Sequence, residues 1–131
     1  MAFSYCRNIY LSDTDAAGVV YFAQGLSICH EAYEEWLLTL GLSIQQILKE
    51  KQIALPIVHA EIDFFKPIMC GDALEIKLEL QEVTESKFAI AYTIIKPTFP
   101  DKILAKALTV HVCIDPQTRL RTTLPDTIWL C

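Results

Sequence analysis

The residues best placed to do chemistry form one run near the start of the chain, Asp13-Thr14-Asp15-Ala16-Ala17-Gly18-Val19-Val20-Tyr21-Phe22. Two carboxylates stand just ahead of a helix-patterned stretch, with small residues between them and its first turn. The first amides of a helix lack intrahelical acceptors and carry a partial positive charge. Either acid could therefore be a simple N-cap. The same placement also suits hydrolysis of an activated carbonyl. An open amide would polarise the oxygen while a carboxylate attacks the carbon or activates water. Gly18 has no Cβ and would let a substrate approach the backbone closely. Other catalytic signatures are absent: the sequence has no G-x-S-x-G, no H-E-x-x-H, no phosphate loop and no dinucleotide fingerprint.

The remaining reactive residues are scattered. His30 falls near the apolar stripe of the helix, as a core or interface histidine would. His59 and Glu61 share an apolar run, and Glu61 reads as a solvated strand residue. His111 alternates with apolar positions and reads as packed or surface, and Trp36 and Trp129 read as packing residues. Cys6, Cys29, Cys70, Cys113 and Cys131 show no C-x-x-C pair and no zinc spacing. The start of the chain does not read as a secretory leader. These features point to a reducing cytoplasm and to thiols that behave as small buried hydrophobes.

The elements that must hold these residues can be read from periodicity. Ser4 to Leu11 alternates as a strand, with Tyr5, Arg7, Ile9 and Leu11 on one side. From Val20 to Leu40 the spacing of Phe22, Leu26, Cys29, Tyr33, Leu37 and Leu40 predicts one face of a long helix. Gly41 would end it, and Ser43 would cap a short second helix running to Glu50. Ile53 to Phe65 then reads as a strand stopped by Pro67. Gly71-Asp72 turns into a strand with Leu74, Ile76, Leu78 and Leu80 on one face. Phe88 to Lys96 is the next strand, entered through the turn Thr84 to Lys87. Ile103 to Asp115 follows, with Leu104, Leu108, Val110, Val112 and Ile114 in register. A helix stripe this long needs a broad sheet to cover it. The expected architecture is therefore α+β, a curved, largely antiparallel sheet of five or six strands wrapped around one long central helix.

Composition narrows the rest. The chain has 131 residues, 53% hydrophobic and 21% charged, which excludes intrinsic disorder and suggests one domain over residues 1–131. The longest charge-free stretch, Ala16 to His30, is too short and too polar to span a bilayer. A net charge of −5 without clustered Lys or Arg argues against a nucleic-acid partner. Such an apolar composition points to surface hidden in a large core or between subunits.

The run from Asp13 to Gln24 resembles the signature D-x-D-x-x-G-x-V-x-[HYF]-x-[NSQ] of the 4-hydroxybenzoyl-CoA thioesterase family of hotdog-fold proteins. Phe65-Lys66-Pro67 followed by Gly71-Asp72 is similar to that family's strand–Pro–Gly-Asp–strand segment, and the order of elements agrees over nearly the whole chain. The resemblance implies a hotdog fold and an acyl-CoA thioesterase that works without cofactor or metal. It places the catalytic carboxylate on Asp15 and a loop-shaping role on Asp13. It puts the polarising amide at Phe22, with Gly18 giving access, and makes Gln24 and His59 substrate-side residues. It also implies homodimers or homotetramers with active sites at the dimer interface. Lys66, Arg119 and Arg121 are candidates for holding the nucleotide of CoA. Ala17 to Gln24 and Cys29 to Glu34 look most like the branch that hydrolyses 1,4-dihydroxy-2-naphthoyl-CoA for phylloquinone or menaquinone synthesis. The alternatives are a 4-hydroxybenzoyl-CoA or short-chain acyl-CoA thioesterase, or a non-catalytic acyl-CoA binder.

Overall fold

The structure, a computed structural model, describes residues 2–129. Strand β1 (Ala2–Asn8) runs into a 3-10 turn (Leu11–Asp13) and then, through a loop, into helix α1 (Phe22–Thr39) and helix α2 (Ile44–Glu50). Strands β2 (Ile57–Phe64), β3 (Ala73–Val83), β4 (Lys87–Lys96) and β5 (Phe99–Val112) follow, with a single turn of helix, α3 (Asp126–Trp129), after them. All five strands join one antiparallel sheet in the order β1-β3-β4-β5-β2. The long connection through α1 and α2 thus separates the two edge strands, β1 and β2.

The first strand is shorter than its alternation suggests. It stops at Asn8, and Leu11, expected on the same face as Tyr5 and Ile9, is 73% exposed. The Asp13 carboxylate accepts the Tyr10 amide at 2.9 Å and bends the chain into the 3-10 turn before the alternation can continue.

Helix α1 buries Gly25, Ile28, Cys29, Ala32, Tyr33, Trp36 and Leu37. That face is rotated from the expected one, and Phe22 is left exposed. The reason lies at Gly25, where a Cβ would meet Phe64 Cζ at 2.6 Å and Ile62 Cδ1 at 2.9 Å. Only a glycine lets the helix lie this close to β2, and that contact turns Phe22 away. At the other end, Leu37 O accepts the amides of Leu40 and Leu42, Leu38 O accepts that of Gly41, and Gly41 has φ +77°. This glycine stop is the expected one, as is the Ser43 cap on α2, which accepts the Gln46 amide at 3.3 Å.

Strand β3 buries Leu74, Ile76 and Leu78 as its alternation requires. Strand β5 buries Leu104 and Val112 as expected, but between them it turns the opposite face inward. Its inward residues there are Ala105, Ala107, Thr109 and His111, paired with Ile94, Tyr92, Ile90 and Phe88 of β4, while Leu108 and Val110 are half-buried on the outer side. Opposite residues in an antiparallel pair share a face, so the larger apolar groups of β4 decide which side of β5 points inward. His111 is fully buried, stacked on Phe88 at 4.9 Å and on Tyr33 at 4.2 Å. Its Nε2 pairs with Thr109 Oγ1 at 2.8 Å, and Tyr92 Oη completes the chain at 2.7 Å from the same oxygen.

Trp36 packs in the core as expected, whereas Trp129 is 41% exposed and Ile128 makes the buried contact of α3. Only Cys29 and Cys113 are the buried hydrophobes expected of the thiols; Cys6 and Cys70 are exposed, and Cys131 lies outside the described residues. Burial pushes the Cys29 thiol up to about 12, so it stays protonated.

Candidate active site

The two acids of the N-terminal loop have opposite surroundings. Asp13 is 4% exposed. Besides the Tyr10 amide, its carboxylate accepts Gln24 Nε2 at 2.8 Å and forms an ion pair with Arg7 at 3.2 Å. The same guanidinium reaches Glu31 of α1 at 3.1 Å, and the Tyr5 hydroxyl donates to Glu31. Burial opposes ionisation of Asp13, but the Tyr10 amide, Arg7 and Gln24 outweigh it and hold the carboxyl below its ordinary range. Arg7 thus bolts β1, the loop and α1 together. A cation on an otherwise apolar strand face was the sequence signal for such a counterion.

Asp15 is exposed. The backbone around it makes a three-residue hairpin: Asp15 N donates to Val19 O, Gly18 N donates to Asp15 O, and Gly18 sits at φ +76°. A type I turn followed by a left-handed residue is a common way to close such a loop. Gly18 therefore answers a conformational demand. A Cβ there would meet nothing within 4 Å, so close packing of the chain against itself is not what requires a glycine. Asp15 Oδ1 accepts the Ala17 amide at 2.8 Å and the Val19 amide at 3.4 Å. Its Oδ2 has no hydrogen-bond partner among the described residues. The loop is pinned from outside by Val20 N to Ile68 O and by Cys70 N to Gly18 O.

Neither acid caps α1. The N-cap is Tyr21, which makes no side-chain cap, and the first amide satisfied within the helix is Gly25 N, bonded to Tyr21 O. The amides of Phe22, Ala23 and Gln24 have no acceptor among the described residues. An open helix start, exposed Tyr21 and Phe22, and a carboxylate with a free oxygen thus occur within eight consecutive residues, 15–22. Beside them runs an open groove of about 360 Å³ lined by Val19, Val20, Phe64, Phe65, Lys66 and Pro67.

Of the other candidates, only Lys66 lines this groove. Gln24 spends its amide on Asp13, as a brace of the loop. His59 is exposed on β2 with Nε2 2.9 Å from Glu61 Oε1, so the two pair with each other. It stands five residues from Phe64, about 17 Å along the strand, and does not line the groove. His30 lies at the mouth of an apolar cavity of about 300 Å³ between α1, α2 and residues 51–55, near Tyr33 and 3.9 Å from Glu34. Arg121 donates to Ser86 Oγ, and Arg119 lies in the turn after β5, at the opposite end of that strand from Lys102. No group of three His, Cys, Asp or Glu among the described residues could hold a metal. None of the described helices is long and apolar enough to cross a membrane.

The model of the thioesterase-like superfamily matches residues 9–129. The chain belongs to that superfamily. It is 49% identical over 129 residues to the 1,4-dihydroxy-2-naphthoyl-CoA hydrolase of Crocosphaera subtropica, covering 97% of this chain and 94% of that protein. It is 50% identical over 135 residues to the enzyme of the same name from Picosynechococcus, covering 99% and 92%. The crystal structure of a 1,4-dihydroxy-2-naphthoyl-CoA thioesterase from Synechocystis superposes with a TM-score of 0.91 at 45% identity, covering 99% of this chain and 93% of that one. The fold is accordingly the hotdog-like thioesterase fold, with a five-stranded antiparallel sheet and helices.

Proposed function

We propose that this protein hydrolyses the thioester of 1,4-dihydroxy-2-naphthoyl-CoA, releasing 1,4-dihydroxy-2-naphthoate and CoA for quinone biosynthesis. The observation that carries the hydrolytic reading is Asp15: an exposed carboxylate with an unpaired Oδ2, seven residues ahead of a helix start whose amides are open. A thioester carbonyl is already electrophilic, so one polarising donor and one carboxylate suffice. The Phe22 amide would take the developing oxyanion, helped by the partial positive charge of the helix start. Asp15 would attack the carbonyl carbon or deprotonate the water that does. In the first route the acyl group passes to Asp15 as a mixed anhydride that water then hydrolyses, freeing Asp15. In either route the C–S bond breaks, water supplies the new oxygen of the carboxylic acid and a proton, and the sulfur leaves as the CoA thiol. Asp13 keeps the loop in shape, braced by Arg7 and Gln24.

The acyl group follows from the relatives named above and from the surroundings of Asp15. Phe22, Phe65 and Tyr21 are 55%, 55% and 46% exposed next to the groove. A flat aromatic acyl group packs well on such rings, gaining about 0.5–1.5 kcal/mol beyond area burial. In this reading α1 is the central helix around which the sheet curls, and the exposed rings are covered by a second copy as well as by substrate. Edge strand β2, with Ile57 and Val58 40% and 57% exposed, is the proposed contact of a homodimer or homotetramer working in the cytoplasm.

A hydrolysis screen over aromatic and aliphatic acyl-CoAs, read as released thiol, tests the reading. The expected kcat/KM for the naphthoyl substrate exceeds that for acetyl-CoA by at least about a hundredfold, roughly 2.7 kcal/mol of differential transition-state binding. Comparable values would leave a thioesterase without this substrate, and no thiol release from any thioester would overturn the activity.

A further inference from the structure

The turn that carries Asp15 and the helix that offers the Phe22 amide are two internally bonded pieces. Residues 15–19 close on themselves through Asp15 N to Val19 O, Gly18 N to Asp15 O and the Ala17 amide on Asp15 Oδ1. Helix α1 begins at Phe22, and Gly25 N to Tyr21 O is its first internal bond. Val20 and Tyr21 join the two pieces, with Tyr21 extended at φ −90° and ψ 166°. The side-chain bond from Gln24 Nε2 to Asp13 Oδ1, 2.8 Å long, spans that joint. Asp13 stands two residues before Asp15, and Gln24 two residues after Phe22. Their bond therefore closes the base of the loop that holds both groups assigned to the reaction.

Asp13 is itself held from β1. Arg7 Nη1 lies 3.2 Å from Asp13 Oδ2, and Arg7 Nη2 donates to Asp13 Oδ1 at 3.4 Å. The Nε of the same guanidinium is 3.1 Å from Glu31 Oε1, which also accepts the Tyr5 hydroxyl at 3.1 Å. Glu31 and Gln24 are seven residues apart, two turns of helix or about 10 Å along one face. Helix α1 is therefore gripped at two points, and a helix gripped at two points cannot pivot about either. The Arg7 and Asp13 side chains are largely withdrawn from water. Removing an ion pair from water costs about as much as its attraction returns, so well-packed apolar side chains would anchor the helix equally well. What fixed donors and acceptors add is direction.

We propose, on the thioesterase reading above, that Gln24, Arg7 and Glu31 are positioning residues for the hydrolysis. Acting through Asp13, they fix the separation and angle between the Asp15 carboxylate and the Phe22 amide. None of the three touches the thioester. The two reacting groups must meet one carbonyl at different atoms: the amide at oxygen, and the carboxylate or the water it activates at carbon. A displacement of about 1 Å between such groups can lower the rate about a hundredfold.

Kinetics of three variants separate position from packing and from substrate contact. Gln24→Ala leaves Asp13 paired with Arg7 and the Tyr10 amide, so the fold should survive. Its kcat for 1,4-dihydroxy-2-naphthoyl-CoA should fall at least about tenfold, with KM within about twofold. Gln24→Glu keeps the length of the side chain but sets a second anion against Asp13, and its kcat should fall below that of Gln24→Ala. Glu31→Gln, which loosens Arg7 at the far grip, should lower kcat by about threefold or more. A space-filling role predicts the opposite order for the two Gln24 variants, and a substrate contact predicts a rise in KM. Either result, or an unchanged kcat in Gln24→Ala, would overturn the proposal. Amide hydrogen exchange reads the clamp without turnover. In Gln24→Ala the Val20 and Gly25 amides, bonded on the two sides of the joint, should exchange at least about tenfold faster, with Ala32 and Trp36 unchanged. Faster exchange confined to the joint supports the clamp even if the wild type hydrolyses no thioester, whereas unchanged exchange overturns it.

Discussion

At its C-terminal end, helix α1 is closed: Leu37 and Leu38 carbonyls accept the amides of Leu40, Gly41 and Leu42, and Trp36 and Leu37 are buried. At its N-terminal end the same helix is open. No side chain caps it, Tyr21 and Phe22 are exposed, and the nearest buried carboxylate, Asp13, is drawn off by Arg7, Tyr10 and Gln24. A helix end that folding needs has its polar groups satisfied from within the chain. An end kept for a ligand would leave those groups to the ligand, which is the role proposed above for the start of α1 beside Asp15.

Four expectations test how far this contrast holds. The largest concerns the closed end. Trp36→Ala, which removes a ring packed near Tyr33 and Phe88, should cost about 3–5 kcal/mol in chemical denaturation. A loss below about 1 kcal/mol would show that this end is not part of the core.

At the open end, Asp15→Asn should lower kcat by at least about a hundredfold with the melting temperature unchanged. Asp13→Asn should do the reverse, because it leaves Arg7 and the loop amides short of an anion. It should cost about 1–3 kcal/mol of stability and have a smaller effect on turnover at temperatures where the variant is folded. Steady-state kinetics and thermal melts on both variants separate the roles, and exchanged phenotypes would reverse the assignment.

Acid should find the two regions in different pH windows. Burial, with His30 nearby, lowers His111 from 6.5 to about 3, while the Leu55 backbone acts in the other direction. Between those values the unfolded chain binds a proton that the folded chain does not. Stability should therefore fall as pH drops from about 6.5 towards 3, with a slope of up to about 1.4 kcal/mol per unit. His111→Phe should flatten that slope. Asp13 contributes stability above its unfolded value of 3.8 that is lost only as pH falls through its lower folded value. Denaturation curves in which His111→Phe left the slope above pH 4 intact would refute the assignment.

The smallest effect compares two glycines. Gly18 and Gly41 both have positive φ and open space around an added Cβ, so Gly18→Ala and Gly41→Ala should each cost about 1–2 kcal/mol through backbone strain alone. A Gly18 variant of normal stability but low activity would show that the residue is needed for substrate approach rather than for the turn.

Local chemistry made much of this molecule legible before any coordinates. The helix stop at Gly41, the Ser43 cap, the inward face of β3, the Thr84–Lys87 turn and the Asp13–Gln24 run all depend on neighbours within a few residues, and spacing is enough to see them. The different roles of Asp13 and Asp15 were implied by resemblance alone. What separates their surroundings is Arg7, brought in from β1, and Gln24, brought back from α1. Tertiary packing decided the rest. The face of α1 was set by the approach of β2 to Gly25, and the face of β5 by the residues of β4 that pair with it. A period of two says that a strand has two faces, not which one the sheet turns inward.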